Sequence, residues 1–394
     1  MKREDKYSNK IDKFIIFSIL AVLLIGLLTT IFFDKDINAY ENRYANKINK
    51  LKLESYIDKS FQNSFESALS DQIQLSLTAK KIYNLMDLKT ATAVLNTLRK
   101  NYDGYVYYKG NIIYKDMLLF APYPYQSTVY WLNFKIENYN KLFANYPDLD
   151  FYVYYIEKDT DIDFTKNEEA GFYEYIKNGL SIDKNRISGF EVNSFDSFSK
   201  YFYVTDHHWN YLGSYKGYTQ VLELINPDIS PLEPLETVTS SNTFQGSKSI
   251  GFYNTLSDKM NVYKFNYPDM RIYINGLESE DYGSQDAFFD NLLKTPGYGA
   301  VYGEDVGEVV FATDNRNSNI LIIGESYDNA IIKLIASHFN RTHCVDLRYY
   351  EHYMNMPFNF DEYIDVNDIE KVLFIGNIDF FSLKEFNIDT EGDE

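Results

Sequence analysis

The sequence predicts an α/β fold in which helices cover both faces of a mostly parallel sheet, behind an N-terminal transmembrane helix and a helical stalk. Three patterns lead to this expectation. Residues 14–33 form an uncharged apolar run, and a polar stretch follows it. Apolar residues then recur every four positions from Ile57 to Leu77, as on one face of a helix. Beyond about residue 95, short apolar strands alternate with helices, which typically builds a parallel sheet.

The apolar run at residues 14–33 is long enough to cross a hydrocarbon core of about 30 Å as a helix. A cleavable signal peptide is the alternative, but its apolar region is usually about 7–15 residues long and ends at a small-x-small site. Ala39 is a poor cleavage position because Ile37 stands two residues before it. We therefore predict a single-pass cell-membrane protein, with residues 1–13 in the cytoplasm and the body outside it.

The remaining residues are predicted to form a stalk and amphipathic helix (34–90), the α/β domain (91–385) and an acidic tail (386–394). Within the domain we expect a hairpin that turns at residues 109–111 and a long irregular region at 228–300 that contains short strand-like pieces such as RIYING, at 271–276. Helices are predicted over 127–145, 171–180, 326–340 and 210–226, the last capped by Asn210. Strands are predicted over 150–157, 200–204, 319–324, 343–350 and 371–381.

Composition narrows the possible functions. The net charge of −19 argues against nucleic-acid binding, which requires a basic surface. The single cysteine, Cys344, excludes an intramolecular disulfide. The 37 tyrosines are explained either by A/T-rich codon usage or by exposed rings that stack on sugars. The chain has neither a P-loop nor a GxGxxG motif, and no cofactor is predicted.

The segment TDHHWN, at residues 205–210, contains two adjacent histidines after an acid. Asp206 and His208 are two residues apart, so on an extended segment they share one face. A carboxylate there can hold one nitrogen of the His208 ring and leave the other for a nucleophile. We expect His207 to point the other way, to a structural partner. A purely structural corner remains an alternative, and a zinc site is disfavoured because adjacent histidines on a strand diverge.

The segment NILIIGESYDNA supplies a candidate nucleophile. An apolar strand ends at Gly324, Ser326 follows, and a helix is predicted to start there. Ligands of open α/β sheets bind at the carboxyl ends of strands. The backbone amides of Ser326 and Tyr327, with the positive end of the helix dipole, can stabilise an oxyanion. The alternative is that Ser326 only caps the helix.

The two segments together resemble the bacterial DHHW protein family, which is similar to the SGNH-hydrolase-like domain of the alginate O-acetyltransferases. The resemblance rests on YVTDHHWN followed by LGSYKGY, and on GESY within NILIIGESYDNAIIKLIASHFNRTHCVDLRYY. Residues 41–43 (ENR) and 71–72 (DQ) also match the stalk that is usual in the family. The similarity extends over about residues 40–385, and it implies an SGNH-type, flavodoxin-like sheet.

The resemblance also implies a Ser–His–Asp triad with Ser326 as nucleophile, His208 as base and Asp206 as its orienting acid. The alginate enzymes acetylate an exopolysaccharide outside the cytoplasmic membrane, typically with a membrane-bound O-acyltransferase as partner. The chain departs from the pattern at Glu325, where SGNH hydrolases usually carry Asp.

Other candidate residues follow from the same comparison of motifs. Asn377, in GNID, is a candidate oxyanion donor, and FQGSKS (Phe244–Ser249) is an alternative source of donors. Arg348 and Tyr349 are predicted to line the cleft, although a salt bridge and packing would also explain them.

The sequence thus predicts a polysaccharide O-acetyltransferase that uses no metal and no cofactor. Two alternatives remain: an esterase with the same triad, which passes the acyl group to water, and a non-catalytic scaffold that binds glycan or an acyltransferase.

Overall fold

The structure is a computed structural model that describes residues 13–21, 24–25, 37–38, 43–47, 52–72, 76–98, 104–108, 110–249, 256–283, 297–386 and 388. The chain divides into two compact units. The first comprises residues 1–100 and 249–255, and the second comprises residues 101–248 and 256–394.

The first unit is mainly helical in its described residues. Residues 13–21 and 24–25 of the predicted anchor region are helical, and the other residues of the predicted span lie outside the described set. Among the helices that are described, none combines the length and the apolar character needed to cross a membrane. The elements that follow are β1 (Ile37–Asn38), β2 (Arg43–Tyr44), α1 (Leu53–Ile57), α2 (Ser60–Gln72) and α3 (Ser76–Leu98). Helix α3 runs across residue 90, where we predicted the stalk to end.

The second unit contains the strands β3 (Tyr105–Tyr108), β4 (Asn111–Tyr114), β5 (Met117–Phe120), β6 (Asp150–Ile156), β7 (Ile162–Asp163), β8 (Glu168–Glu169), β9 (Ile187–Phe190), β10 (Glu236–Phe244), β11 (Asp258–Lys264), β12 (Met270–Ile274), β13 (Leu277–Ser279), β14 (Glu308–Thr313), β15 (Asn319–Ile323), β16 (Arg341–Val345) and β17 (Ile369–Gly376). Its helices are α4 (Tyr125–Asn145), α5 (Phe172–Gly179), α6 (Phe195–Tyr201), α7 (Tyr211–Ile225), α8 (Tyr298–Tyr302), α9 (Ile332–Ala336), α10 (Leu347–Met354), α11 (Phe360–Val366) and α12 (Ile378–Ser382). Short 3-10 turns lie at Lys184–Arg186, Ser247–Ser249, Asp328–Ala330 and Lys384–Phe386.

The central feature is an eight-stranded sheet in the order β13–β12–β14–β16–β15–β17–β6–β9. Strands β16, β15, β17, β6 and β9 are parallel to one another, and β14, β12 and β13 extend the sheet in antiparallel pairings. The predicted α/β fold with a large, mostly parallel sheet is therefore confirmed.

Alternating burial explains why the parallel strands are apolar on both faces. In β6, Tyr152 and Tyr154 pack into one hydrophobic core, whereas Val153 and Tyr155 pack into the other. Since successive side chains of a strand point to opposite faces, a strand covered on both sides must be apolar at every position. Helices α6, α7, α8 and α9 contribute to the first core, and α4, α5, α10, α11 and α12 contribute to the second.

Several local predictions are confirmed. The hairpin β3–β4 turns at Gly110, whose φ of 84° favours glycine. Asn210 caps α7 by accepting hydrogen bonds from the backbone N–H groups of Leu212 and Gly213. The predicted helix at 127–145 is α4, and the predicted strands at 150–157 and 319–324 are β6 and β15.

Other predictions are wrong because the aromatic residues used to assign strands also occur in helices and loops of this chain. Residues 195–201 form helix α6, and only Phe202 of the predicted strand at 200–204 makes a β-bridge, to Trp209. The predicted strands at 343–350 and 371–381 end early, at Val345 and Gly376, where side chains of Asp346 and Asn377 cap new helices. In the region 228–300 the predicted strand-like piece at 271–276 belongs to β12, but chain that we predicted as irregular also forms strands β10, β11 and β13.

Candidate active site

The carboxyl ends of four neighbouring parallel strands lie at one edge of the sheet. Strand β15 leads to Ser326 and strand β17 leads to Asn377. Strand β6 leads to Lys158, and strand β16 leads to Arg348. All four residues line one cleft. This is the edge at which open α/β sheets bind their ligands.

The imidazole of His208 lies between a carboxylate and a hydroxyl. Its Nδ1 is 2.6 Å from Oδ1 of Asp206, and its Nε2 is 2.8 Å from Oγ of Ser326. The three residues that we predicted as a triad are therefore at hydrogen-bond distance in the expected order, although 118 positions separate His208 from Ser326. This geometry allows Nε2 to accept the proton of Oγ while Nδ1–H stays bonded to the carboxylate.

The carboxylate of Asp206 is buried, accepts two backbone hydrogen bonds and packs closely against Gly246. Its Oδ1 accepts from the backbone N–H of His208 at 3.0 Å, and its Oδ2 accepts from the backbone N–H of Ser247 at 2.9 Å. A side chain at Gly246 would collide with Asp206, because a Cβ there would lie 2.4 Å from Oδ2. Although burial alone would raise it, the pKa of Asp206 lies well below its usual value, since the nearby His208 and His207 and the hydrogen bonds from His208 favour the charged form.

The FQGSKS segment therefore supports Asp206. The backbone N–H of Ser247 bonds Asp206, and that of Gly246 donates to Oγ1 of Thr205 at 3.0 Å. Our prediction that this segment is an alternative source of oxyanion donors is not supported, because these two donors are already occupied.

The DHHW segment is a tight loop closed by backbone bonds. Tyr203 donates its N–H to the carbonyl of His208 at 3.2 Å, next to the Phe202–Trp209 bridge. The indole of Trp209 is fully buried and donates to the carbonyl of Tyr327 at 3.0 Å. The loop is thereby fixed directly to the residue after Ser326.

His207 does not point away from the site as we predicted. Its ring lies 3.8 Å from the His208 ring, measured between centroids, and it lines the cleft. Its Nδ1 is 2.5 Å from Oγ of Ser247, which is the structural partner that we expected. The departure arises because the segment bends, so that the strand rule of alternating faces does not apply.

Tyr298 is a site residue that sequence reasoning missed. Its buried ring stacks on the His208 ring with centroids 3.7 Å apart and planes 3° apart, and its hydroxyl donates to the carbonyl of Tyr327 at 3.1 Å. It lies near the end of the region 228–300 that we predicted as mostly irregular, and no local motif marks it.

Two groups next to Ser326 can serve as oxyanion donors. The backbone N–H of Ser326 makes no hydrogen bond within the described part of the chain. The side-chain amide of Asn377 donates one hydrogen to Oε1 of Glu325, which also accepts the Asn377 backbone N–H at 3.0 Å. Because an amide carries two hydrogens, one remains for a substrate oxygen. Burial raises the pKa of Glu325 to about 7, despite the opposing charge of Lys158.

The helix expected after Ser326 is largely absent. Residues 328–330 form a 3-10 turn, and α9 has only five residues. The carboxyl group of Asp328 packs against Gly324, where an added Cβ would be 2.0 Å from Oδ2. The predicted contribution of a helix dipole at Ser326 is therefore wrong, because so short a helix has little macrodipole. The side chain of Tyr327 is fully buried and donates to the carbonyl of His207, so only its backbone N–H remains a candidate oxyanion donor.

The cleft has a volume of about 400 Å³ and includes Arg348 and Tyr349, as predicted. Both of its basic groups are paired. Arg348 donates from Nε to Asp346 at 3.0 Å, which agrees with the salt bridge that we considered. Lys158 is 2.7 Å from Asp379, and Asp379 also accepts from the hydroxyl of Tyr123 at 2.6 Å.

The sequence analysis missed Lys158 and Asp379. Both follow the carboxyl ends of strands, β6 and β17, as Ser326 follows the end of β15. Burial alone would lower the pKa of Lys158, but Asp379 and Glu325 raise it above its usual value. The lysine therefore stays charged in the cleft that Ser326 also lines.

Asp206, His207 and His208 also form a group whose potential metal-ligand atoms lie within 4.8 Å of one another. The contact of 2.6 Å between Asp206 and His208 is a hydrogen-bond distance. In a tetrahedral zinc site the metal–ligand bonds are about 2.0–2.2 Å long, so two donor atoms lie about 3.3 Å from each other. The arrangement fits a proton between these two residues better than a metal ion.

The fold is similar to that of PatB1 from Bacillus cereus. Its structure with a sulfonyl adduct matches with a TM-score of 0.54 and 18% identity, over 72% of this chain and 100% of that chain. A DHHW family protein from Eubacterium siraeum matches with a TM-score of 0.53 and 17% identity, over 72% and 95% of the two chains. The predicted resemblance to the DHHW family is thus confirmed at the level of the fold.

The O-acetyltransferase domain of AlgJ from Pseudomonas putida is more distantly similar, with 11% identity and a TM-score of 0.38 over 71% of this chain and 93% of that chain. No protein-family model and no curated protein matches the sequence.

Proposed function

We propose that this protein is a serine-nucleophile acyltransferase that acetylates hydroxyl groups of a cell-surface polysaccharide. In this proposal, residues 14–33 anchor the chain in the membrane and the α/β unit lies outside the cytoplasm. The observation that carries the proposal is the position of His208, which is within hydrogen-bond distance of both Asp206 and Ser326.

The first half-reaction forms an acetyl-enzyme. Oγ of Ser326 adds to the acetyl carbonyl of the donor while Nε2 of His208 takes its proton. The tetrahedral oxyanion accepts hydrogen bonds from the Ser326 N–H and from the amide of Asn377. The bond to the leaving oxygen then breaks, and the histidine returns the proton to that oxygen.

The second half-reaction transfers the acetyl group. A sugar hydroxyl gives its proton to Nε2 of His208 and attacks the acetyl carbonyl. The bond between the carbonyl carbon and Oγ then breaks, and the histidine returns the proton to Oγ, which regenerates Ser326. An esterase would use water at this step. A membrane-bound O-acyltransferase is the partner that the family resemblance implies as the source of acetyl groups.

The test is to trap the acetyl-enzyme. The full chain, purified in a mild detergent, is incubated with 4-nitrophenyl acetate and its intact mass is measured. We expect one added acetyl group in the wild type and none in Ser326→Ala, which loses the attacking oxygen. Ser199→Ala is the matched control, because that hydroxyl is exposed on α6 and bonds only locally. Methanesulfonyl fluoride, which sulfonylates activated hydroxyls with loss of fluoride, is expected to give the same pattern.

Acetylation that persists in Ser326→Ala would place the nucleophile elsewhere. A wild-type chain that stays unmodified by several acetyl donors would favour the non-catalytic scaffold. Mass spectrometry of an added oligosaccharide distinguishes the two enzymes, since a transferase acetylates the sugar and an esterase releases only acetate.

A further inference from the structure

Between residues 130 and 134, helix α4 exposes three large aromatic side chains on the surface of the α/β unit. Tyr130 is 68% exposed, Trp131 49% and Phe134 48%. The opposite face of the same helix is the one that packs into the core, through residues such as Leu132 and Tyr139. The three rings are therefore not needed to hold the helix on the sheet, and water-exposed aromatic clusters usually mark binding surfaces.

The rings are held in a defined arrangement. Tyr130 and Trp131 meet edge to face with centroids 5.2 Å apart, which is a favourable geometry for aromatic pairs. The other tryptophan of the chain, Trp209, is fully buried. Trp131 thus presents its indole to solvent while its neighbour restricts its rotation.

Two hydrogen bonds join this part of the molecule to residues that line the cleft. Just before the helix, Tyr123 donates to Asp379, which lines the cleft. One turn after Trp131, Lys135 donates to the carbonyl of Phe386, another cleft residue. Because residues i and i+4 are neighbours on a helix, Trp131 lies on the flank that borders the cleft.

The charge of the protein and of its cleft favours an uncharged polymer as the ligand. The protein carries a net charge of −19, and Glu325, Asp379 and Glu385 line the cleft. Its two cations are already paired, Lys158 with Asp379 and Arg348 with Asp346 and Asp305. An anionic polymer would find no uncommitted positive charge among these groups and would be repelled by the whole molecule.

We propose that Tyr130, Trp131 and Phe134 form an aromatic platform that binds the pyranose rings of an uncharged polysaccharide and guides the chain into the Ser326 cleft. This inference rests on the proposed function, from which it takes a polysaccharide as the ligand. The faces of aromatic rings carry partial negative charge and attract the C–H groups on the flat side of a pyranose, while the tyrosine hydroxyl and indole N–H can bond sugar hydroxyls.

The test measures binding without catalysis. Isothermal titration calorimetry is performed on the full chain carrying Ser326→Ala, with chitohexaose and cellohexaose as neutral probes and hexamannuronate as an anionic probe. We expect both neutral probes to bind and the anionic one to bind more weakly. Adding Trp131→Ala should weaken neutral binding about tenfold, because a stacked ring is lost.

Two matched variants separate stacking from folding. Trp131→Phe keeps a ring and should retain most of the affinity. Tyr107→Ala removes another exposed ring, 56% accessible on β3, and should leave the affinity unchanged. Thermal unfolding of each variant checks that the fold is intact.

Unchanged affinity in Trp131→Ala, absence of binding to both neutral probes, or tighter binding of hexamannuronate would each overturn the platform. Quenching of Trp131 fluorescence by brominated lipids, in nanodiscs that hold the full chain, would also overturn it, since the rings would then lie in a membrane surface.

If the wild type forms no acetyl-enzyme but glycan binding depends on Trp131, the proposed function fails and the platform stands. Acetyl transfer to a glycan without dependence of binding on Trp131 gives the reverse conclusion.

Discussion

At the scale of single residues, the two adjacent histidines have different partners. Nδ1 of His208 bonds Asp206 and its Nε2 reaches Ser326, whereas Nδ1 of His207 bonds the Ser247 hydroxyl. Only His208 joins a carboxylate to the candidate nucleophile. In the proposed reaction, the buried carboxylate holds the Nδ1–H of His208 and leaves Nε2 to take the proton of Ser326.

Asp206→Asn should therefore abolish most activity while the fold is retained. The amide keeps the shape of the side chain but favours the wrong tautomer of His208, and the equivalent change in a serine protease lowers kcat by about 10⁴-fold. The rate of acetyl-enzyme formation with 4-nitrophenyl acetate provides the measurement.

His208→Ala should give a comparable loss, and His207→Ala should give a much smaller one. If His207→Ala proves inactive while His208→Ala keeps its activity, the base has been assigned to the wrong histidine.

At the scale of elements, the DHHW loop depends on how closely helix α7 approaches it. Gly213 and Gly217, in the motif LGSYKGY, leave the space that Trp209 fills. A Cβ on Gly217 would lie 2.5 Å from Cζ3 of the indole, and one on Gly213 would lie 2.8 Å from the Trp209 Cβ. The motif after the DHHW segment therefore reflects packing against its tryptophan.

Gly217→Ala should consequently destabilise the protein, although alanine is the better helix former by about 1 kcal/mol. Overpacking a filled core site costs about 1–3 kcal/mol, so we expect a net decrease in the free energy of unfolding. Gly299→Ala is the control, because a Cβ there would meet no atom closer than 3.6 Å in α8. Urea denaturation compares the two variants, and a Gly217→Ala chain as stable as the wild type would mean that Trp209 has room to move.

At the scale of the whole molecule, the candidate site is assembled by the parallel sheet. Strands β6, β15, β16 and β17 each end at the same edge, and each leads to at least one cleft residue from a distant part of the sequence. The DHHW loop then brings its imidazole to Ser326. This arrangement explains how a single cleft combines a base, a nucleophile and amide donors.

The location of this unit relative to the membrane is a separate prediction. The uncharged span at residues 14–33 follows a short segment with Lys2, Arg3 and Lys6, and basic residues favour the cytoplasmic side. Protease added to intact protoplasts should therefore digest the α/β unit, which is followed by immunoblotting, while a cytoplasmic marker stays protected. Protection of the unit until the membrane is dissolved by detergent would show the opposite orientation.

Several features of the protein are determined by the sequence alone, because they depend on residues close together in the chain. The Asn210 cap and the turn at Gly110 arise from interactions over a few positions. The Asp-x-His spacing and the serine after an apolar strand could also be recognised in the sequence, and Asp206, His208 and Ser326 lie together in the candidate site. Even here the sequence pattern wrongly placed His207 away from the cleft, since its direction depends on the bend of the loop.

Only the tertiary structure decided the rest of the candidate site. Tyr298 stacks on His208 from a helix 90 positions away, and Glu325 meets Asn377 across 52 positions. The ends of β16 and β17 were also misplaced, because Asp346 and Asn377 cap helices in segments whose aromatic and apolar residues continue the strand pattern. Local patterns record which faces are buried, whereas pairings between distant residues arise only when the sheet brings their strand ends together.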